Sequence, residues 1–370
     1  MNDVFEIIDS GFVFNAEKDT DHAVACGPRC LVTTEDIICS FMVQSGLGIN
    51  DFKPVLMRSY EGKKWQDMSF PWKHLSNQYS IFGSISCTND GEIFFFGTRT
   101  KIDIPGESFW RNENQGLKEN ELVYARSLDN GKTWTEFSVI PKPFLCSAEA
   151  PGAMCITKSG SWHVCYSPYN TFDSNNFVER NQVVLLTSRD KGKTWSYTRM
   201  LSFEELYSSA AEAWVVELAD GRLFGTCWKI NQKNGSDFSN PYAVSEDDGR
   251  TWSKTQPTGI MGQTPALAPL PDGRIFFIYN QRRVPPYGIR LALISVLDVG
   301  LRIDADEMIY CVEKPSIDAF LKSHSDWTNF NFGEPHVAIL PDKTILAVFW
   351  CIEPENRGIR YIRLDAKNMI

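Results

Sequence analysis

The chain has 370 residues, of which 43% are hydrophobic, 13% are aromatic and 22% carry a charge. This composition is sufficient for a large apolar core, and the length allows one or two domains. The net charge of −9 argues against a nucleic-acid partner, because such a partner needs a basic surface that neutralises its phosphates. An anionic substrate is still compatible with this charge, since a local group of arginines can oppose the overall sign.

The first predicted element is a strand over residues 4–14, and the last is a strand over residues 359–364. The N-terminus has no basic segment, no long apolar run and no small-residue cleavage site, so the sequence predicts a cytoplasmic protein that does not associate with a membrane. The ten cysteines lie mostly in apolar, strand-like runs without a CxxC pair, which indicates buried free thiols. Five scattered histidines predict no metal site, and we expect no cofactor.

Six predicted hairpins follow one another between these two strands. Each consists of an apolar strand, a tight turn that often reads Asp-Gly, and a second apolar strand. The hairpins span residues 30–43, 85–97, 153–166, 214–228, 266–279 and 337–350. A further pair of strands after each hairpin completes a four-stranded blade, so the sequence predicts an all-β fold, a six-bladed β-propeller in one domain over residues 1–370. We expect the two chain ends to share one blade.

The motif S-x-D-x-G-x-T-W occurs three times, at residues 127–134, 188–195 and 245–252. Its Asp side chain can bind the backbone two residues further on, its Gly allows a positive φ, and its Trp anchors the next strand. Copies that lie 61 and 57 residues apart indicate repeated supersecondary units. The motif is the Asp-box, or BNR repeat, and through it the chain resembles the sialidase-like six-bladed β-propellers over nearly its whole length.

Strand direction predicts which segments meet at each end of the ring. If the first strand of each hairpin runs from the top face to the bottom, the Asp-Gly turns and the Asp-boxes both lie at the bottom. The long loops then lie at the top, at residues 98–120, 167–181, 229–240 and 281–288. Long polar loops on one rim are the expected place for binding. Phe109 and Trp110 in the first loop offer aromatic rings that can stack on a sugar.

Three glutamates on this rim are candidates for catalysis. Glu212 lies nine positions before the turn glycine Gly221, and Glu334 lies nine positions before Lys343, which takes the place of that glycine. The two glutamates therefore occupy the same place on the innermost strands of two blades. Glu149 lies on the same rim. Glycoside cleavage needs one carboxyl group that donates a proton and one ionised carboxylate that attacks or activates water. The three glutamates therefore predict a glycoside hydrolase, while rim carboxylates that only pair with arginines are the alternative.

The resemblance to sialidases implies particular roles and particular departures. The segment from Glu212 reads Glu-Ala-Trp-Val-Val-Glu-Leu-Ala-Asp-Gly-Arg-Leu and is similar to the sialidase segment whose Glu assists a tyrosine nucleophile. By this resemblance, Glu334 occupies the position of the sialidase tyrosine. Gly27 and Trp228 occupy the positions of two sialidase arginines that bind the substrate carboxylate. The resemblance also implies that Asp51, in the loop of the first blade, corresponds to the acid that sialidases carry there. These differences argue against sialic acid itself as the substrate.

An arginine-rich loop on the top rim reads Arg-Arg-Val-Pro-Pro-Tyr-Gly-Ile-Arg and begins at residue 282. Two prolines stiffen it, and guanidinium groups in fixed positions can bind a carboxylate or sulfate with two hydrogen bonds. Similar loops occur in sialidase-like proteins of unassigned specificity. A loop that is held by its own ion pairs is the alternative. The candidate substrate-binding residues are therefore Arg282, Arg283, Tyr287 and Arg290, together with Arg29, Arg99, His336 and Asp51.

The sequence as a whole predicts a carbohydrate-active enzyme whose partner is a glycan or small saccharide. Two other functions fit the same residues. One is a carbohydrate-binding propeller without catalysis, and the other is a polysaccharide lyase that acts on uronates through a His or Tyr base. The paired carboxylates favour the hydrolase, whereas His336 and Tyr287 favour the lyase.

Overall fold

The structure is a computed structural model that describes residues 4–88, 90–314, 330–353 and 356–366. Its strands form six antiparallel four-stranded sheets that are arranged as the blades of a propeller. This arrangement confirms the predicted all-β, six-bladed fold. The described part of the chain also contains one short 3₁₀ helix, Lys73–Leu75, and no helix there has the length and apolar character that a membrane span requires.

The blades are numbered in chain order, and their strands are given from the axis outwards. Blade 1 contains β2 (Val24–Val32), β3 (Ile37–Gln44), β4 (Lys53–Ser59) and β5 (Gln66–Ser69). Blade 2 contains β6 (Tyr79–Cys87), β7 (Ile93–Lys101), β10 (Asn120–Ser127) and β11 (Ser138–Ile140). The loop between β7 and β10 carries a small hairpin, β8 (Trp110–Arg111) and β9 (Gly116–Leu117).

In blade 3 the innermost strand is divided into β12 (Ser147–Glu149) and β13 (Cys155–Ile156), followed by β14 (Trp162–Tyr169), β15 (Gln182–Ser188) and β16 (Ser196–Ser202). Blade 4 contains β17 (Ser208–Glu217), β18 (Leu223–Asn231), β19 (Pro241–Ser245) and β20 (Gln256–Pro257). Blade 5 contains β21 (Gln263–Pro269), β22 (Arg274–Gln281), β23 (Tyr287–Val296) and β24 (Leu301–Val312). Blade 6 contains β25 (Phe332–Ile339), β26 (Ile345–Ile352), β27 (Arg357–Asp365) and β1 (Glu6–Asn15).

The second strands of the blades contain continuous apolar runs because each blade is packed between two others. Strand β3 reads Ile-Ile-Cys-Ser-Phe-Met-Val-Gln and is buried at every position, as is β14. A sheet that is covered on both faces needs continuous apolar runs in place of alternation with polar residues. All ten cysteines are free, and only Cys311 is exposed, in agreement with the prediction of mostly buried thiols.

The two chain ends meet in blade 6, as predicted. Strand β1 pairs antiparallel with β27, so that Glu6 lies opposite Asp365 and Asn15 lies opposite Gly358. The N-terminal segment is thus the outermost strand of the blade that the C-terminal segment begins. This pairing closes the ring through backbone hydrogen bonds between opposite ends of the sequence.

Each Asp-box forms the same hydrogen-bonded turn. In the second copy, Asp190 accepts hydrogen bonds from Ser188 Oγ at 2.8 Å, Thr194 N at 2.9 Å and Thr194 Oγ1 at 2.5 Å. The same bonds recur in the other two copies. The bonds from Thr194 hold the pKa of Asp190 at about 2. The motif therefore acts as a structural turn in this chain.

The Asp-boxes and the inner hairpin turns lie at the same end of the ring. Asn130 in the first box donates to Asp36 in the hairpin turn of blade 1 at 3.0 Å. Asp248 in the third box accepts a hydrogen bond from Ser161, beside the hairpin turn of blade 3, at 2.8 Å. These contacts between neighbouring blades confirm the predicted strand direction.

Candidate functional site

A cavity of about 210 Å³ lies at the top of the ring, between the innermost strands. Every blade contributes to its wall, and Glu149, Glu212 and Glu334 all line it. The structure thus brings together the three glutamates that the sequence singled out. Eight aromatic residues from strands and loops also line the wall: Phe52, Phe82, Phe109, Trp110, Tyr169, Trp228, Phe330 and Trp350.

The innermost strands of blades 1, 4, 5 and 6 share a backbone irregularity beside this cavity. The pairing register of each shifts there, and one residue takes a left-handed conformation: Gly27 with φ 61°, Glu212 with φ 55°, Thr264 with φ 48° and Glu334 with φ 46°. A β-bulge turns a side chain away from the regular alternation of the strand. Residues other than Gly are strained in this conformation by about 1–3 kcal/mol each, and such strain is concentrated at functional sites. The bulges direct two glutamates and one threonine to the cavity.

The three carboxyl groups are held by backbone N–H groups of these bulges. Glu149 Oε2 accepts a hydrogen bond from Glu212 N at 2.5 Å, and Glu334 Oε2 accepts one from Gly27 N at 2.7 Å. Glu212 accepts two, from Thr264 N at 2.5 Å and from Thr264 Oγ1 at 2.8 Å. Each bond crosses from one blade to the next. The bulges therefore fix the positions of the carboxyl groups as well as their directions.

Burial raises the pKa of all three carboxyl groups. The pKa of Glu149 lies well above its usual range, because burial and the nearby charge of Glu212 both disfavour ionisation. Burial raises the pKa of Glu212 to about 7, against the opposing effect of the Thr264 hydrogen bonds. The pKa of Glu334 is raised by burial as well, while the charges of Arg29 and Arg282 act in the opposite direction. Burial therefore opposes ionisation at all three groups, and Glu334 is the one whose pKa two nearby arginines lower against that effect.

Arg29 lies behind the cavity wall and is only 1% exposed. Its guanidinium donates to the carbonyl oxygens of Pro28 at 2.7 Å, Pro151 at 3.2 Å and Glu334 at 3.3 Å. It also lies over the ring of Trp214, 5.2 Å from its centroid. Arg29 therefore joins blades 1, 3 and 6 and supplies positive charge near Glu334.

Arg282 lines the cavity directly. Its Nη1 donates to Gln263 Oε1 at 3.1 Å, and its Nη2 donates to the carbonyl oxygen of Phe332. Its Cζ atom lies over the ring of Phe330, 3.8 Å from the centroid. Burial lowers its pKa to about 9, so the group is still charged at neutral pH. Arg282 is the one member of the predicted arginine loop that reaches the cavity wall among the described residues.

The other predicted arginines are held in ion pairs away from this wall. Arg283 Nε lies 3.8 Å from Asp237, and Arg290 donates to Asp306 at 2.8 Å. In blade 2, Arg99 donates to Glu121 at 2.9 and 2.6 Å. None of the three lines the cavity in the described part of the chain. The pair of Arg283 reaches the loop of blade 4, and the pair of Arg290 lies between β23 and β24.

The remaining candidates also lie outside the wall that the described residues form. His336 Nδ1 accepts a hydrogen bond from Cys30 N at 3.2 Å, and burial lowers the pKa of the imidazole to about 3, so the ring is neutral. Tyr287 is the first residue of β23. Asp51 accepts the backbone N–H of Ser45 at 3.3 Å, beside the cavity-lining residues Asn50 and Phe52.

Sequence reasoning missed Thr264 and Phe82, which line the cavity at positions equivalent to Glu212. Thr264 lies nine residues before Gly273, and Phe82 lies nine residues before Gly91. The count that found the glutamates therefore finds these residues too, but it was applied only to carboxylates. Gln44 and Asn50, also in the wall, carry no repeat signal because they lie at the end of β3 and in the loop after it.

We expect the pKa of Glu212 to rise above about 7 when Thr264 is replaced by valine. Thr264→Val keeps the β-branched shape but removes the hydroxyl that donates to Glu212 Oε1, and this bond favours the ionised carboxylate. Carboxyl ¹³C NMR titration of the two proteins measures the shift. Thr258→Val, a buried threonine in the strand connection of blade 4, is the matched control. An unchanged Glu212 titration would show that the hydroxyl does not tune the carboxylate.

Comparison with known proteins adds to this geometry. Residues 108–300, more than half of the chain, match the family model described as a BNR repeat-like domain. A sialidase of Bacteroides fragilis (strain YCH46) is 22% identical over 218 residues, which are 54% of this chain and 37% of that protein. The chain therefore spans little more than a third of the length of this relative.

Solved structures share the fold over the whole chain. A protein of unknown function from Dyadobacter fermentans DSM 18053 has a TM-score of 0.71 at 18% identity, with 98% of this chain and 99% of that chain covered. The α-L-arabinanase of Penicillium chrysogenum, solved in complex with arabinobiose, has a TM-score of 0.64 at 13% identity, with 99% and 100% covered. On the evidence of its six blades, its Asp-boxes and the family match, the chain belongs to the BNR repeat-like domain family, within the superfamily of sialidase-like propellers.

Proposed function

We propose that the protein is a glycoside hydrolase that cleaves the bond at the end of a glycan in its central cavity. The observation that carries this proposal is the presence of three carboxyl groups with raised pKa values around one aromatic-lined cavity. Hydrolysis of a glycoside needs carboxyl groups in both protonation states on opposite sides of the bond. Aromatic walls with a few polar groups are typical of a site for a small organic ligand.

Glu212 is our candidate for the general acid. Its pKa of about 7 lies where both protonation states are populated, which is the best compromise between holding a proton and giving it up. It would protonate the leaving oxygen as the glycosidic bond breaks. The two hydrogen bonds from Thr264 keep its carboxyl group in place during the transfer.

Glu334 is our candidate for the ionised partner. Arg29 and Arg282 favour its charged form, and the N–H of Gly27 orients one of its oxygens. The carboxylate would either attack the anomeric carbon or take a proton from the water that does so. By the resemblance to sialidases Glu334 lies where those enzymes have a tyrosine nucleophile, so a carboxylate here would do the same work with a different group.

Glu149 has a supporting role in this proposal. Its pKa is raised well above the usual range, and it binds the backbone N–H of Glu212. It would therefore support Glu212 and add a polar group to the wall. It also provides a second candidate for the proton donor, which the variants described below separate from Glu212.

The relatives support a hydrolase more than a lyase or a binding module. The matched proteins include one named as a sialidase and one named as an arabinanase. A lyase would need His336 or Tyr287 as a base at the substrate, but neither residue lines the described cavity wall, and His336 already binds Cys30 N. A non-catalytic carbohydrate-binding propeller would need no strained glutamates with raised pKa values.

The pH dependence of hydrolysis tests the proposal. With a panel of alkyl glycosides, whose leaving groups need protonation, we expect kcat/KM to fall as pH rises through about 7, because the free enzyme loses the proton of Glu212 there. At lower pH the rate should fall again as Glu334 becomes protonated. In Thr264→Val, the fall of kcat/KM on the alkaline side should occur at higher pH. A protein that binds these glycosides but releases no sugar at any pH would instead be a carbohydrate-binding module.

A further inference from the structure

The cavity differs in charge from a site that recognises an acidic sugar. Five charged side chains line it among the described residues, and three of these are the glutamates. The two cations are already bound by the protein. Lys118 forms ion pairs with Asp103 at 2.8 Å and with Glu107, and both Nη atoms of Arg282 donate to protein oxygens. Arg282 Nε has no hydrogen-bond partner among the described residues, so a substrate carboxylate would meet one partly bound guanidinium among three carboxyl groups.

The position where the resemblance places a carboxylate-binding arginine is also closed. Gly27 occupies it, and a Cβ atom there would lie only 3.0 Å from the ring of Phe82 and 3.9 Å from Glu334 Oε2. The backbone N–H of Gly27 binds Glu334. The space that an anion would need is thus filled by an aromatic ring and another anion.

Two acceptors in the wall lack partners. Gln44 and Asn50 are each 1% exposed and line the cavity, and Gln44 Oε1 and Asn50 Oδ1 have no hydrogen-bond partner among the described residues. Asn50 Nδ2 donates to Lys101 O and to Glu107 Oε1, both at 3.0 Å, which fixes the orientation of its amide. A buried acceptor without a donor is costly, so a ligand that supplies O–H donors would be stabilised here.

We propose that this cavity binds a neutral sugar residue, whose hydroxyl groups donate to Gln44 and Asn50, and that it discriminates against sugars that carry a carboxylate. The inference rests on the proposed function only for the location of the site. Aromatic walls suit the C–H faces of such a sugar, and the glutamates accept further hydroxyl donors. A carboxylate group offers no donor to the orphan acceptors and would be a fourth carboxyl group beside the three glutamates of the wall.

Binding of free sugars, which the enzyme cannot hydrolyse, tests this inference apart from catalysis. The matched probes are glucose with glucuronate and galactose with galacturonate. Arabinose and xylose are additional neutral probes, and N-acetylneuraminate is an additional acidic probe. Saturation-transfer NMR and calorimetry at pH 7.5 should show binding of at least one neutral sugar. A carboxylated probe should bind at least about 10-fold more weakly than its neutral counterpart.

Two variants locate the acceptors. Gln44→Met keeps the length of the side chain but removes its acceptor, and should weaken neutral-sugar binding by up to about 10-fold, the effect of one lost hydrogen bond. Gln66→Met on the exposed strand β5 is the control and should bind as the wild type does. Equal or tighter binding of a carboxylated sugar, or no binding of any neutral sugar, overturns the inference. Binding of a neutral sugar without hydrolysis of its glycosides would overturn the proposed function but support this inference. Hydrolysis of uronosides would support the proposed function but overturn this inference.

Discussion

Replacing Glu212 by glutamine is expected to lower turnover at least about 100-fold on a glycoside with a poor leaving group, the lower end of what general acid catalysis contributes. Glutamine preserves the shape and can still accept the Thr264 N–H, but it has no transferable proton. On an aryl glycoside whose phenol leaves easily, protonation is no longer needed. The Glu212→Gln variant should therefore recover much of its rate on that substrate. Steady-state kinetics on the two substrates measures the difference.

Glu334→Gln should lose as much activity on both substrates, because attack at the anomeric carbon is needed whatever the leaving group. Glu121→Gln is the matched control, since Glu121 is a top-rim glutamate that pairs with Arg99 outside the cavity wall. It should keep wild-type rates. Full activity in both Glu212→Gln and Glu334→Gln would remove them from the mechanism. Rescue by the good leaving group in Glu149→Gln, but not in Glu212→Gln, would make Glu149 the acid.

The same glutamine substitution at Glu212 is expected to stabilise the folded protein at alkaline pH. The pKa of this carboxyl group rises from 4.5 to about 7 on folding. The folded state thus binds this proton more tightly than the unfolded state, so the contribution of Glu212 to stability is fully present below pH 4.5 and is lost as pH rises through about 7. The difference of pKa corresponds to up to about 3 kcal/mol, a value that access of solvent from the cavity reduces.

Urea unfolding at pH 4.5 and at pH 8 measures this effect. The wild type and Glu212→Gln should have similar free energies of unfolding at pH 4.5, and the variant should be the more stable protein at pH 8. Glu121→Gln should show no such gain. A variant that is less stable than the wild type at pH 8 would mean that the ionised carboxylate contributes more through Thr264 than burial costs. Gain of stability with loss of activity is the usual relation at a strained catalytic site.

The sequence predicted the blades well because their signals are local. A hairpin needs a turn residue and two apolar runs, and both are visible within about 15 residues, as around Asp220 and Gly221. Glu212 and Glu334 were found because the innermost strands of the blades are equivalent. A fixed number of residues before the hairpin turn therefore reaches the same position along the propeller axis in each blade. The bulges that direct these side chains were not foreseen, since their glutamates take a conformation that favours Gly.

The arginine loop shows why the rest of the site was harder to predict. Arg290 looks free in the sequence, but it lies beside Asp306 because β23 pairs with β24, and Arg283 lies beside Asp237 from the preceding blade. Whether a cation is free or paired depends on such neighbours, which are set by tertiary packing. The unpaired acceptors of Gln44 and Asn50 could not be predicted from the sequence for the same reason. An acceptor is known to lack a donor only when all its neighbours in the fold are known.

The hydrogen bond from Gly27 to Glu334 joins residues that are 307 positions apart, and β1 reaches β27 across almost the entire chain. Contacts of such high sequence separation are formed late, since the entropy of closing a long loop must be overcome first. During biosynthesis the first blade therefore leaves the ribosome long before its partner in blade 6 exists. A nascent or truncated chain that lacks blade 6 would have Glu149 and Glu212 but no closed cavity, so the capacity to bind a sugar should arise only when the last blade is complete.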